Sequence, residues 1–157
     1  MRSLIEKLAK NLRRKGLSIS TTESCTGGLL AKTLTDIPGS SNYFTFGLIT
    51  YSNESKRKLL GVKRSTIKNM GAVSEETAEE MVRGLHRLSK TDIAVSITGI
   101  AGPGGGSKIN PVGTVFFGLM FKGRIYLYHK LFKGDRDRIR KQSVKFIINE
   151  INKKVGG

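Results

Sequence analysis

The chain reads as an α/β protein, a three-layer α/β/α sandwich around a mixed β-sheet, and three features lead there. Segments with apolar residues at helical spacing alternate with short runs of β-branched and aromatic residues. Two of those runs, Val112 to Phe121 and Arg124 to Phe132, are joined only through Lys122-Gly123. Two residues are too few for a crossover, so this pair is antiparallel inside a sheet whose other strands are separated by helices. Helical patterns at both ends of the chain are available to cover opposite faces of the sheet.

Taken in order, Leu4, Ile5, Leu8 and Leu12 recur at helical spacing, which predicts an amphipathic helix from about residue 3 to 15, stopped by Gly16. Leu17 to Thr22 reads as a strand that gives way to Glu-Ser-Cys-Thr-Gly-Gly and a short helix around Leu29 to Leu34. Asp36-Ile-Pro-Gly-Ser-Ser is a turn, and Tyr43 to Tyr51 is the next strand. Ser52 or Asn53 caps a helix running to Gly61. Ser74, followed by Glu75 and Glu76, opens a longer helix whose Ala78, Met81, Val82, Leu85 and Leu88 are expected to face the core. Asp92 to Ile97 reads as a buried strand ending at a glycine-rich loop, Gly99 to Gly106. Asp135 caps a terminal helix with Ile139, Phe146, Ile147 and Ile151 along its apolar side.

A chain of 157 residues suits one domain over 1–157, long enough to bury roughly two thirds of its unfolded surface. No apolar stretch has the length of a signal peptide or membrane span, so a cytoplasmic location with no membrane partner is expected. The lone Cys25 excludes an intrachain disulfide, and with only His86 and His129 beside it no zinc set can be assembled. The net charge of +16 favours an anionic partner without choosing among nucleic acid, an acidic membrane and a phosphorylated small molecule; a solvated basic surface accounts for it equally. The basic stretches lack interleaved aromatics and no helix-turn-helix pattern is present, so no specific nucleic-acid site is expected.

Chemistry is concentrated at strand ends. Glu23-Ser24-Cys25-Thr26-Gly27-Gly28 sets a hydroxyl and a thiol beside glycines at the end of the first strand, where α/β folds keep their sites and where the amides of the next helix can hold a phosphate or an oxyanion. A polar helix cap with glycines for close packing is the alternative. His86 lies on the outer side of a helix and His129 within a strand, so a reactive serine needs another base, and lysine is the usual substitute. Tyr51, Asn53 and Lys56 project from a second strand-to-helix junction. To act near neutral pH, Lys56 must fall from about 10.4 to near 7, a change of about 4 kcal/mol, through burial and like-charged neighbours. Otherwise Lys56, Arg57 and Lys58 are solvated together.

Thr98 stands at the mouth of the glycine-rich loop, which lacks the lysine-serine end of a P-loop and the G-x-G-x-x-G register. Ser55-Lys-Arg-Lys58 and Ser65-Thr-Ile-Lys68 match S-x-x-K without its companion elements and count as chance matches. Arg136 and Arg140 sit one turn apart at the start of the terminal helix, able to grip a phosphate or carboxylate, or simply solvated.

Six segments in order, Glu23 to Gly28, Pro38 to Ser41, Tyr51 to Lys56, Gly71 to Glu75, Thr98 to Gly106 and Pro111 to Thr114, resemble the CinA C-terminal domain family from about residue 4 to 150. The resemblance implies an α/β/α amidohydrolase, usually a homo-oligomer and without metal or other cofactor, that converts nicotinamide mononucleotide to nicotinate mononucleotide and ammonia. By motif position it implies Ser24 as nucleophile, Lys56 as base, and Tyr51 and Thr98 in the site. Glu23, Cys25, Thr26, Gly27, Gly28, Asn53 and Gly99 then line the substrate, with Arg136 or Arg140 contacting it. Thr22 stands where the family commonly has alanine, and Asn110 where a lysine often precedes Pro-Val-Gly-Thr. A basic nucleic-acid-binding or interaction module without catalysis is the competing expectation.

Overall fold

The computed structural model describes residues 1–156. Five strands form one mixed sheet: β1 (Ile19–Glu23), β2 (Phe44–Ile49), β3 (Ile93–Gly99), β4 (Thr114–Phe121) and β5 (Arg124–Leu131), in the order β2-β1-β3-β4-β5. β1 runs parallel to both β2 and β3, whereas β3/β4 and β4/β5 are antiparallel. Six helices are described: α1 (Arg2–Lys15), α2 (Leu29–Thr35), α3 (Asn53–Leu60), α4 (Arg64–Met70), α5 (Glu75–Ser89) and α6 (Arg136–Gly156).

The expected α/β/α sandwich is present, but the distribution of helices is not the expected one. α1, α2 and α6 share one face of the sheet, burying Leu8, Leu12, Leu30, Ile147 and Ile151 against Ile19, Val95 and Phe117. The two terminal helices are neighbours rather than covers for opposite faces; Asn152 of α6 donates to the Leu4 carbonyl of α1 at 3.1 Å. The other face is covered by α3, α4 and α5, with Leu60, Met81, Val82 and Leu85 against Ala94 and Met120. The crossover after β2 supplies these helices, leaving both chain ends to the first face.

Capping follows the sequence closely. Ser52 accepts from the Ser55 amide in a capping box, and Ser74 accepts from the Thr77 amide at 3.2 Å. Asp135 accepts from the Arg138 amide at 2.9 Å at the start of α6. α4 was not expected, because its own sequence carries little apolar periodicity and none of its residues is buried. Glu80 of α5 organises it, accepting from the Lys63 amide at 2.8 Å and the Thr66 hydroxyl at 2.6 Å. Leu88, expected in the core, is 50% exposed on the last turn of α5, where Lys90 already turns the chain back toward β3.

The parallel strands β2, β1 and β3 all end at the same edge of the sheet, and the chain leaves β1 toward one face and β2 toward the other. A crevice forms where neighbouring connections diverge in this way. α3 reaches that edge because its C-terminus lies tightly on α5: a Cβ added at Gly84 would sit 2.0 Å from the Leu60 carbonyl oxygen. Gly84→Ala is therefore expected to destabilise the fold by about 1–3 kcal/mol through forced separation of the two helices, lowering Tm by several degrees in a thermal melt. An unchanged Tm would show that α3 and α5 do not approach this closely.

Candidate active site

The turn after β1 is held from several directions. Ser24 donates its amide to the Ile97 carbonyl of β3 at 2.9 Å, and the Gly27 amide returns to the Ser24 carbonyl at 3.0 Å. Gly27 and Gly28 have φ of 57° and 97°, a conformation that favours glycine, and they bring the chain sharply into α2. The Glu23 carboxylate, fully buried, accepts from the Thr26 hydroxyl at 2.5 Å and from the Leu30 and Ala31 amides at 3.0 and 2.8 Å. The first amides of α2 are thus occupied by an internal anion.

The second junction brings a lysine inward. Lys56, on the first turns of α3, is only 1% exposed. Its Nζ donates to Ser24 Oγ at 2.9 Å and to the Thr50 carbonyl at 2.8 Å. Thr50 is fixed in turn: its amide donates to the Glu23 carbonyl at 2.9 Å, and its hydroxyl pairs with that of Thr22 at 2.8 Å. Burial lowers the Lys56 pKa from 10.5 to about 8. The fall stops short of the value near 7 expected from the sequence, and burial causes it, without the contribution expected from like-charged neighbours. Arg57 is half-buried and Lys58 exposed, so the three basic residues are not solvated together.

Cys25 adjoins the same space, but burial pushes its thiol up to about 12, with the Glu23 carboxylate adding to the effect. It is therefore a neutral thiol throughout the range in which Lys56 titrates, and a neutral thiol is a poor nucleophile.

A cavity of about 280 Å³ opens over this pair, lined by Ser24, Cys25, Tyr51, Asn53, Lys56 and Arg136 together with Thr98 and the loop from Gly99 to Gly105. Thr98 donates its hydroxyl to the Ala72 carbonyl at 2.8 Å, and Asn110 donates to the Val73 carbonyl at 3.0 Å; these bonds pin the Ala72–Val73 wall of the cavity. Arg136 bridges the mouth, donating to the Gly102 carbonyl at 2.7 Å and to the Tyr51 hydroxyl at 2.9 Å. A larger cavity of about 530 Å³ between α1, α2 and α6 is floored by Ile5, Leu29, Ile37 and Val144 and contains no paired nucleophile and base.

Several expected site residues thus meet: Ser24, Cys25, Tyr51, Asn53, Lys56, Thr98, Gly99 and Arg136. Others stand behind the wall. The Glu23 carboxylate is turned away onto the start of α2, and Thr26 is fully buried beside it, because an ionised group inside the protein must find donors. Arg140 donates to the Thr26 carbonyl at 2.8 Å and lies 3.2 Å from where a Gly27 Cβ would be, so it braces the turn and leaves Arg136 as the arginine facing the cavity. Gly27 and Gly28 shape that turn without lining the cavity. Neither histidine reaches it; His129 stacks on Phe116 with ring centroids 4.3 Å apart. Sequence reasoning did not find the Thr50, Ala72 and Val73 carbonyls, since a main-chain acceptor leaves no mark on residue type.

The sequence model of the CinA C-terminal domain matches residues 1–155. The chain belongs to the CinA C-terminal domain family. A CinA-like protein of Petrotoga mobilis is 50% identical over 135 residues, covering 86% of this chain and 34% of the relative. A CinA-like protein of Kosmotoga olearia is 47% identical over 151 residues, covering 96% and 37%. The chain thus spans about a third of the length of such curated relatives. Among solved structures, a CinA superfamily protein from Klebsiella pneumoniae superposes with a TM-score of 0.94 at 36% identity, covering 98% of this chain and 96% of that one. A competence/damage inducible protein from Agrobacterium tumefaciens gives 0.93 at 38%, covering 99% and 94%. The CinA fold here is therefore shared nearly end to end with chains of similar length. Among the described residues no helix is long and apolar enough to cross a membrane.

A buried lysine has a measurable signature. Its folded pKa of about 8 lies below the ordinary 10.5, so below pH 8 Lys56 costs the fold about 3 kcal/mol. Between pH 8 and 10 the unfolded chain binds the extra proton and stability rises; above about pH 10 the raised Tyr43 phenol, also shifted by burial, opposes the rise. Lys56→Met is expected to raise Tm at pH 7 and to flatten the gain between pH 8 and 10. Thermal melts across that range check it, and a lower Tm for the variant at pH 7 would contradict a net cost of burying the ammonium.

Proposed function

We propose that this chain is an amidohydrolase acting on a linear amide, the carboxamide of nicotinamide mononucleotide, with Ser24 as nucleophile and Lys56 as base. The observation that carries the reading is the 2.9 Å contact between Lys56 Nζ and Ser24 Oγ, inside a cavity and away from any histidine. A lysine with a pKa of about 8 is unprotonated in a useful fraction near neutral pH. In that form its lone pair accepts from the serine hydroxyl, while an N–H still donates to Thr50 and keeps the amine aimed.

Lys56 takes the proton from Ser24, and the serine oxygen adds to the carboxamide carbon. The backbone amides of Cys25 and Thr26, which donate to no main-chain carbonyl, directly follow the nucleophile and are the donors this reading assigns to the oxyanion. One good donor of this kind contributes about 3–4 kcal/mol. Lys56 then protonates the departing nitrogen, ammonia leaves, and the ester on Ser24 remains. Water loses its proton to Lys56, adds to that ester and releases Ser24 and the carboxylate product. Arg136, at the mouth, supplies a guanidinium for the phosphate. The +16 charge draws the anionic substrate toward the protein.

Ammonia release from nicotinamide mononucleotide tests the assignment directly. Ser24→Ala is expected to lose at least about a thousandfold in kcat, whereas Cys25→Ala keeps most turnover; the reverse pattern would overturn the choice of nucleophile. Lys56→Arg keeps the charge but not the basicity, so turnover should nearly vanish while substrate still binds. The unmodified enzyme's acylation rate should rise with pH through about 8 and then level off. A Lys56→Arg enzyme with near-normal kcat would make Lys56 a binding or structural group.

The role of Arg136 separates from that of the catalytic pair. Arg136→Ala is expected to raise KM for the nucleotide about tenfold or more with a smaller change in kcat, and to leave the rate with nicotinamide riboside, which lacks the phosphate, almost unaffected. Equal losses on both substrates would assign Arg136 to holding Tyr51 and the Gly102 loop instead.

A further inference from the structure

Glu23 touches neither the cavity nor solvent, yet it is bonded to both halves of the catalytic pair's support. Its carboxylate collects the Thr26 hydroxyl and the Leu30 and Ala31 amides. Its main-chain carbonyl accepts the Thr50 amide, and Thr50 in turn presents the carbonyl that holds Lys56. A fully buried carboxylate is tolerated where it is well supplied with donors and near the positive end of a helix, and both conditions are met here. With those amides taken, α2 offers no competing anion site. The Cys25 and Thr26 amides donate to no main-chain carbonyl, and Arg140 holds the Thr26 carbonyl of the same segment.

We propose that Glu23 is a positioning residue for this reaction: an internal anion that fixes the Ser24–Gly28 turn, so that the Cys25 and Thr26 amides face the oxyanion. The inference rests on the reading of Ser24 as the nucleophile. It goes beyond that reading by placing control of oxyanion stabilisation on a side chain that never meets the substrate. Glu23 acts on the turn and not on the base, so its loss should slow acyl transfer without moving the titration of Lys56.

The test uses two readouts on Glu23→Ala, Glu23→Gln and Thr26→Val. One is steady-state ammonia release. The other is the rate at which a fluorophosphonate probe labels Ser24, followed by mass spectrometry across pH; there the serine oxygen bonds to phosphorus, fluoride leaves, and Lys56 takes the serine proton. Glu23→Ala is expected to slow both kcat and labelling by about a hundredfold, with KM changed by less than about threefold and the labelling midpoint still near pH 8. Glu23→Gln, whose amide oxygen still accepts from α2, should recover part of the loss. Thr26→Val removes a single bond to the carboxylate and guards against a Glu23→Ala chain that fails to fold; a drop of about five- to tenfold is expected.

Wild-type labelling rates in folded Glu23→Ala or in Thr26→Val would overturn the proposal. So would a loss of rate accompanied by a labelling midpoint moved toward that of an ordinary lysine, since this would mean collapse of the Lys56 site. A wild-type chain that labels at Ser24 but releases no ammonia from nicotinamide mononucleotide removes the substrate assignment alone, and the labelling rates still decide the role of Glu23.

Discussion

The arrangement depends on one buried amine. Lys56 sits at 1% exposure between Ser24 Oγ and the Thr50 carbonyl. Taking an ammonium out of water is unfavourable by several kcal/mol, and a carbonyl and a hydroxyl offset only part of that. The protein tolerates the cost because the surrounding apolar layers are continuous on both faces of the sheet. The same unfavourable burial lowers the lysine's affinity for a proton, where an exposed lysine would remain charged.

Around that amine, the other charged groups divide by what they can reach. Glu23 and Arg140 have opposite signs and hold the same turn from within the protein, whereas Arg136 is exposed and meets the cavity. This separation keeps a carboxylate close to Ser24 without letting it compete for the site's cation. On the proposed mechanism, the two main-chain amides that follow Ser24 are the donors a developing oxyanion would meet.

Much of this was legible in the sequence. The Ser24 and Lys56 junctions both stand at strand ends with a helix after them, and residues with such local signatures were found where expected, within a few positions. The hairpin through Lys122-Gly123 required an antiparallel pair, and β4 and β5 are that pair. α4 escaped notice because its register depends on Glu80, ten or more positions away, rather than on its own periodicity. Arg136 and Arg140 were indistinguishable one turn apart on a helix; only the packing of α6 against the β1–α2 turn sends one guanidinium to Thr26 and the other to Tyr51 and Gly102.

The sequence by itself determined the order and type of most elements, the mixed character of the sheet, and the two polar clusters from which a site could be built. It could do so because helical period, caps and short turns act between residues a few positions apart. Only the tertiary structure decided that both terminal helices share a face, that Lys56 rather than Lys58 turns inward to Ser24, and that Glu23 faces α2 instead of the cavity. Those outcomes turn on partners far along the chain and on main-chain carbonyls such as that of Thr50, whose hydrogen-bonding capacity is the same at every residue and becomes specific only when folding sets its direction.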